Sequence, residues 1–318
     1  MTEKQINKWL RRQFSAIGWV LIGFYFLTNL IVSIAMGADL GRQMLWNLMT
    51  GNALLDFDWD AVLNNGWGYT ASCAVLMLIL WAWKGSRFWG SVWSHRNQKM
   101  TGFTLFTVLG MCMAAQLLNG FWIGLMELLA NAFGTSMVPL LESVSGASGS
   151  FSMFFYGSIA APLAEELLFR GFVLHSLKPY GKRFAVWGSA ILFGAFHGNL
   201  LQTPYAFVMG LVLGWLAMEY SLGWAVGLHI FNNLILAEGM SYVTAALPPL
   251  VADGIILAVL SVFSMASGAI LIAKRREIRA YRLGEWMDRR CVWCFLTSFG
   301  VLLLLFLMVG SMISFFFT

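Results

Sequence analysis

Two carboxylates and a guanidinium, Glu165, Glu166 and Arg170, fall within six residues inside an otherwise apolar run from Phe151 to Leu177. A charge near the centre of a bilayer costs roughly 2.5–3.5 kcal/mol on the insertion scale, so such residues mark ion pathways, proton relays or catalysis. Two later apolar stretches each carry a histidine. One reads Phe193-Gly-Ala-Phe-His197, followed by Asn199 and Gln202; the other reads Gly227-Leu-His229-Ile-Phe-Asn232-Asn233. Carboxylate, imidazole and carboxamide are the groups that move protons and hold an oxyanion.

Spacing divides the roles. On an α-helix successive residues lie about 100° apart, and positions i and i+4 share a face. Glu166 and Arg170 are i,i+4 and pair across one turn, which makes Glu166 a neutralised, structural carboxylate. Glu165 points elsewhere and is free to face other helices; a carboxylate in a dry pocket suits a general base or acid. Phe193 and His197 share a face, with Phe193 as a wall of the pocket. His229 and Asn233 are again i,i+4, two donors at a common point that suit an oxyanion. Asn232 is a packing amide or shares the site, and Glu238 lies on the opposite side of the helix from His229. His95, in a basic loop, and His175, near a helix end, read as structural. Glycines 194, 198, 210, 214, 223 and 227 would let the helices approach closely. A second use of the same groups stays open: Glu165, His197 and His229 would make a His2Glu zinc site with water in the fourth position.

The elements that must position these groups are membrane helices. The 318 residues are 59% hydrophobic and 11% charged, with a mean hydropathy of +0.73, whereas soluble domains run near 25% charged. The expectation is an all-α, polytopic transmembrane bundle of eight or nine spans, at about 13–36, 66–83, 101–121, 150–177, 184–201, 203–219, 222–246, 250–273 and 292–317. Phe121–Leu141 reads as amphipathic or interfacial, and 37–65 as the longest loop. The chain divides into N-terminal helices (1–149), a core holding the polar motifs (150–246) and C-terminal helices (247–318). Trp67, Trp81, Trp83, Trp93 and Trp224 fall near span ends, where amphipathic rings settle at headgroup depth. The four cysteines, including Cys291-Val-Trp-Cys294, are too few and too apolar in context for a disulfide framework. The first apolar run is longer than a signal peptide's core and lacks a cleavage site.

Net charge of +5 is a matter of topology and does not point to nucleic acid. Of 20 Lys and Arg, 18 lie on alternate loops, while Arg42 is on the other side and Arg170 is in the membrane. The opposite loops carry Asp39, Asp56, Asp58 and Asp60. Basic loops stay in the cytoplasm, which puts the N-terminus inside and the C-terminus outside.

The motifs E-E-x-x-x-R, F-x-x-x-H and H-x-x-x-N, in this order over about 150–240, resemble the CPBP family of intramembrane proteases. That family includes bacterial Abi-type proteins and the eukaryotic CAAX prenyl endopeptidase. The resemblance implies a metal-free endopeptidase of the plasma membrane, bacterial in kind, acting on a hydrophobic or leader-bearing peptide or protein. It implies that Glu165 and His197 activate water, that His229 and Asn233 stabilise the oxyanion, and that Glu166 and Arg170 support them. Competing readings are a zinc protease on the same residues, a proton-coupled transporter, and a non-catalytic bacteriocin-immunity protein; no inverted repeat supports the transporter.

The charge bias gives a direct test. In intact cells a cysteine placed near Asp58 should react with a membrane-impermeant thiol reagent, and one near Arg279 should not. The reverse pattern overturns the orientation.

Overall fold

The computed structural model describes residues 2–145, 149–284 and 287–314; residues 315–317 of the last expected span lie outside it. Among the described residues every regular element is a helix. The first, α1 (Glu3–Thr50), opens on a capping box in which Thr2 and Gln5 exchange side-chain and backbone hydrogen bonds. It stops at Gly51, whose φ of 77° is the left-handed geometry that ends helices. Its 48 residues make about 72 Å at 1.5 Å each, more than twice the hydrocarbon thickness. The loop expected from 37 therefore begins only after Thr50.

After α2 (Trp59–Leu63) comes α3 (Trp67–Ser94), broken at Gly85, and then α4 (Gly102–Ala132). This last helix absorbs the first part of the segment expected to be interfacial, and α5 (Val138–Ser145) takes much of the rest. The polar core follows as a chain of short pieces. These are α6 (Phe151–Phe155), a π-helical turn (Tyr156–Ala160), α7 (Ala161–Glu166), a second π segment (Leu167–Val173) and α8 (Leu174–Leu177). Then come α9 (Lys182–Phe196), α10 (Thr203–Glu219), α11 (Leu222–Phe231), a third π segment (Asn232–Gly239) and α12 (Met240–Thr244). The chain closes with α13 (Pro249–Ala273), α14 (Arg275–Gly284), α15 (Arg289–Leu296) and α16 (Phe299–Ser314).

Every expected apolar run contains helix; length and composition support four or five of the expected eight or nine spans. Among the described residues four helices are long and apolar enough to cross a membrane: Glu3–Thr50, Trp59–Ser94, Gly102–Ala132 and Pro249–Ala273. A fifth follows if α15 and α16, bent by 57°, count as one span. In the core the runs 151–177 and 222–244 are continuous helix with π turns wound into them, while α9 has 15 residues and α10 has 17.

Helices pack as α1 on α3 and α16, α4 on α13, and α9 on α10. On α13 the most apolar stretch is only 6% buried, and Leu257, Val262 and Met265 face outward. Apolar side chains on the outside are expected where lipid replaces water as solvent.

Several of the basic loops meet at one end of the bundle. Arg290 pairs with Glu3 at 2.8 Å, Arg11 donates to Thr297, and Trp9 and Phe14 pack on Tyr180. His95 donates from Nε2 to the Met218 carbonyl and accepts from Lys178 at Nδ1. Burial and the neighbouring Lys178 hold its pKa below the usual imidazole value. Lys182 pairs with Glu219. At the other end Asn65 meets Asp39, Gln43 meets Asp58, and Ser150 meets Asn64. Cavities of about 520 and 580 Å3 open there, both lined by Arg42, Asp58 and Ala61; the second reaches Ser152 at the start of α6, and neither is lined by Glu165, His197, His229 or Asn233.

Of the six core glycines, 194, 210 and 214 permit close approach, and Gly198 turns the chain with φ of 63°. Gly223 has no neighbour nearer than 3.7 Å and Gly227 none within 4 Å, so the close-packing role expected of them is not theirs. A Cβ at Gly210 would stand 2.9 Å from the Ala190 Cα, a backbone atom that cannot swing away. Gly210→Val should therefore cost about 1–3 kcal/mol by overpacking, read as a lower unfolding midpoint in detergent. Gly227→Ala should leave that midpoint unchanged or raise it, and equal behaviour of the two variants would refute the packing argument.

Candidate active site

Glu166 and Arg170 are completely buried, and Arg170 Nη1 donates to Glu166 Oε1 at 2.6 Å. The same carboxylate oxygen takes a second bond, from His229 Nδ1 at 2.8 Å. A carboxylate only accepts, so the His229 proton sits on Nδ1 and Nε2 is left facing away. Glu166 is thus more than the neutralised partner of Arg170: it also orients an imidazole on another helix. Arg170 is held further by the Phe193 ring, 4.1 Å from its guanidinium carbon, and by the Gly210 carbonyl at 3.5 Å. His175 donates from Nδ1 to the Arg170 carbonyl, which ties this helix to the basic end of the bundle.

Glu165 does point elsewhere. Its side chain is 30% exposed, and Oε2 lies 3.7 Å from His229 Nε2. That distance is too long for a direct hydrogen bond, so the two groups face each other without being joined. His197 caps α9 and donates from Nδ1 to the Phe193 carbonyl at 2.9 Å, which leaves its Nε2 as the free lone pair. The Phe193 ring packs edge-on against both imidazoles, with centroids at 4.8 Å from His197 and 5.8 Å from His229. Phe193 is the wall that spacing suggested. Asn199 and Gln202 build the turn into α10: Asn199 Oδ1 accepts from the Gln202 N–H and its Nδ2 donates to the His197 carbonyl.

His229 and Asn233 are not joined to a common partner. From Asn232 onward the helix is wound as π, so the α-helical register read from spacing, including the side assigned to Glu238, lapses there. Asn233 turns to Gly157 instead, with Nδ2 donating to its carbonyl at 3.0 Å. That carbonyl needs an outside partner. The Ala161 N–H, its α-helical donor, bonds Tyr156, and the next donor along would belong to Pro162, which has none. Asn233 Oδ1 accepts from Asn232 Nδ2 at 3.0 Å. Asn232 Oδ1 accepts in turn from Tyr205 at 2.8 Å and from Gln116 at 3.1 Å. Sequence reading passed over Tyr205 and Gln116, although a polar side chain within an apolar span is itself the available signal.

Glu165, His197 and His229 are the zinc donors the sequence offers. Both histidines leave Nε2 open, as ligation would require. Yet among the described residues no group of three or more His, Cys, Asp or Glu is arranged to hold a metal ion. All four cysteines are free, and Cys294 is packed into the core.

The shared oxygen of Glu166 separates two variants. Glu166→Gln leaves Arg170 buried without its counter-charge, which typically costs 3–5 kcal/mol, so folded yield should fall sharply. Glu165→Gln, at a partly exposed side chain, should give near-normal yield by detergent size exclusion. Equal yields would mean that Glu166 does not hold Arg170.

No curated protein and no solved structure matches the chain. Residues 147–235 do match the family described as type II CAAX prenyl endopeptidase Rce1-like, and that stretch contains Glu165, Glu166, Arg170, His197, His229 and Asn233.

Proposed function

We propose that the chain is an intramembrane endopeptidase that hydrolyses a peptide bond of a hydrophobic or leader-bearing peptide without a metal. The observation that carries this reading is the buried Arg170–Glu166–His229 array with Glu165 facing His229 Nε2, inside the family-matched segment. Water held between Glu165 and the free Nε2 of His197 gives its proton to the carboxylate as its oxygen attacks the scissile carbonyl carbon. The resulting oxyanion is met by Asn233, whose amide keeps one N–H beyond the Gly157 bond, and by His229 Nε2, which must first take up a proton from solvent because the ring's one proton is committed to Glu166. Collapse breaks the C–N bond, and the proton on Glu165 passes to the leaving amine.

Position supports the reading. His229 lies seven residues into α11 and His197 fifteen beyond Lys182, both well inside apolar helical segments, and both rings meet the same Phe193 ring. With the basic end in the cytoplasm, of a bacterial plasma membrane on our reading, the scissile bond is reached from that side or from within the bilayer.

The test is cleavage by protein reconstituted in liposomes. The probes are an internally quenched farnesylated C-a-a-X peptide and an unprenylated apolar peptide with an N-terminal leader. Cleavage of either should fall about 10²–10⁴-fold in Glu165→Gln and about 10²–10³-fold in Asn233→Ala, and should survive a strong chelator. Full activity in Glu165→Gln would end the assignment. Loss to the chelator with recovery on added zinc would make Glu165, His197 and His229 ligands instead.

A further inference from the structure

Gln116 lies on α4, outside the family-matched segment, yet it reaches the site through Asn232. We propose that Gln116 and Tyr205 are positioning residues that act through Asn232 to hold the Asn233 carboxamide with its nitrogen presented to the reacting carbonyl. The proposal rests on the endopeptidase reading and assigns the device that orients one of its oxyanion donors.

A carboxamide has an accepting end and a donating end of nearly equal size, so only its hydrogen-bond partners choose between two orientations. Here the choice is anchored at Gly157. Its carbonyl can only accept, and Pro162 has removed the helical N–H that would otherwise reach it. Asn233 therefore turns its nitrogen to Gly157 and its oxygen to Asn232. Asn232 must then offer its own nitrogen, which leaves its oxygen at the far end. That oxygen meets two donors at once, the Tyr205 hydroxyl from α10 and the Gln116 amide from α4. Reversing either asparagine would set nitrogen against nitrogen or oxygen against oxygen along the chain. Since the Gly157 carbonyl takes one N–H of Asn233, the second keeps a defined direction only while the far end is held. Tyr205 and Gln116 each supply half of that hold.

Tyr205→Phe and Gln116→Met remove the donors while keeping shape, and the quenched probe peptides read the result. Each variant should lower kcat about tenfold with KM within twofold and the unfolding midpoint unchanged. In an Asn233→Ala background neither should lower kcat further, because the group they orient is gone. Full kcat in both variants, beside a slow Asn233→Ala, would overturn the positioning role and leave the endopeptidase reading standing. A tenfold loss that persists on top of Asn233→Ala would overturn it too, since the effect would then run by another route. A second measurement does not depend on cleavage. In protein labelled with 15N-asparagine, the Asn233 side-chain N–H2 pair, assigned by its loss in Asn233→Ala, should shift and broaden in both variants. An unmoved pair would overturn the proposal even if no probe is cut and the endopeptidase reading itself fails.

Discussion

One oxygen atom, Oε1 of Glu166, organises the centre of this bundle by accepting from both Arg170 and His229 with no access to solvent. Buried ions survive only when their charges are matched. That condition pins α7, the following π segment and α11 together, because each contributes a group to the same atom. The aromatic packing follows suit. Phe193 lies over the guanidinium on one account and against both imidazoles on another, so an apolar ring holds the polar groups apart and keeps them aimed.

The second constraint is the departure from α-helical register around these groups. Among the described residues three π segments occur, two flanking α7 and one beginning three residues after His229. Such segments leave backbone groups out of the ordinary ladder and recur at functional sites. Here the consequence is specific. The break before Pro162 leaves the Gly157 carbonyl to a side chain, and that side chain is Asn233. The π turns leave 151–177 and 222–244 as continuous helical runs, while α9 and α10 end at turns of their own. Long helices such as α1, α4 and α13 surround them and carry the apolar outer surface.

The family-matched segment is therefore not the whole of the site's support. From α4, Gln116 and Trp122 hold Asn232 and the Leu200 carbonyl. At the basic end, His95 binds the Met218 carbonyl, and Asn97 and Gln98 bind through their backbones to Glu219. The N-terminal helices thus fasten both ends of α10, the helix packed on α9 and His197.

What could be read without coordinates was whatever depends on local period and composition. Helical class followed from apolar runs, the grouping of loops followed from Lys and Arg placement, and the Glu166–Arg170 bond followed from one α-helical turn. The separate direction of Glu165 followed from the same turn. The resemblance to a protease family followed from three motifs in order, and residues 147–235 match such a family. Tertiary structure decided the rest. That His229 turns to Glu166 is a contact between residues 63 apart, and no helical period encodes it. That Asn233 serves Gly157 depends on where a helix slips from α to π winding, which hinges on packing as well as on Pro162. The length of α1 beyond residue 37 and the open space at Gly227 were equally illegible. Spacing tells which residues share a face, but only the packed bundle decides what that face meets.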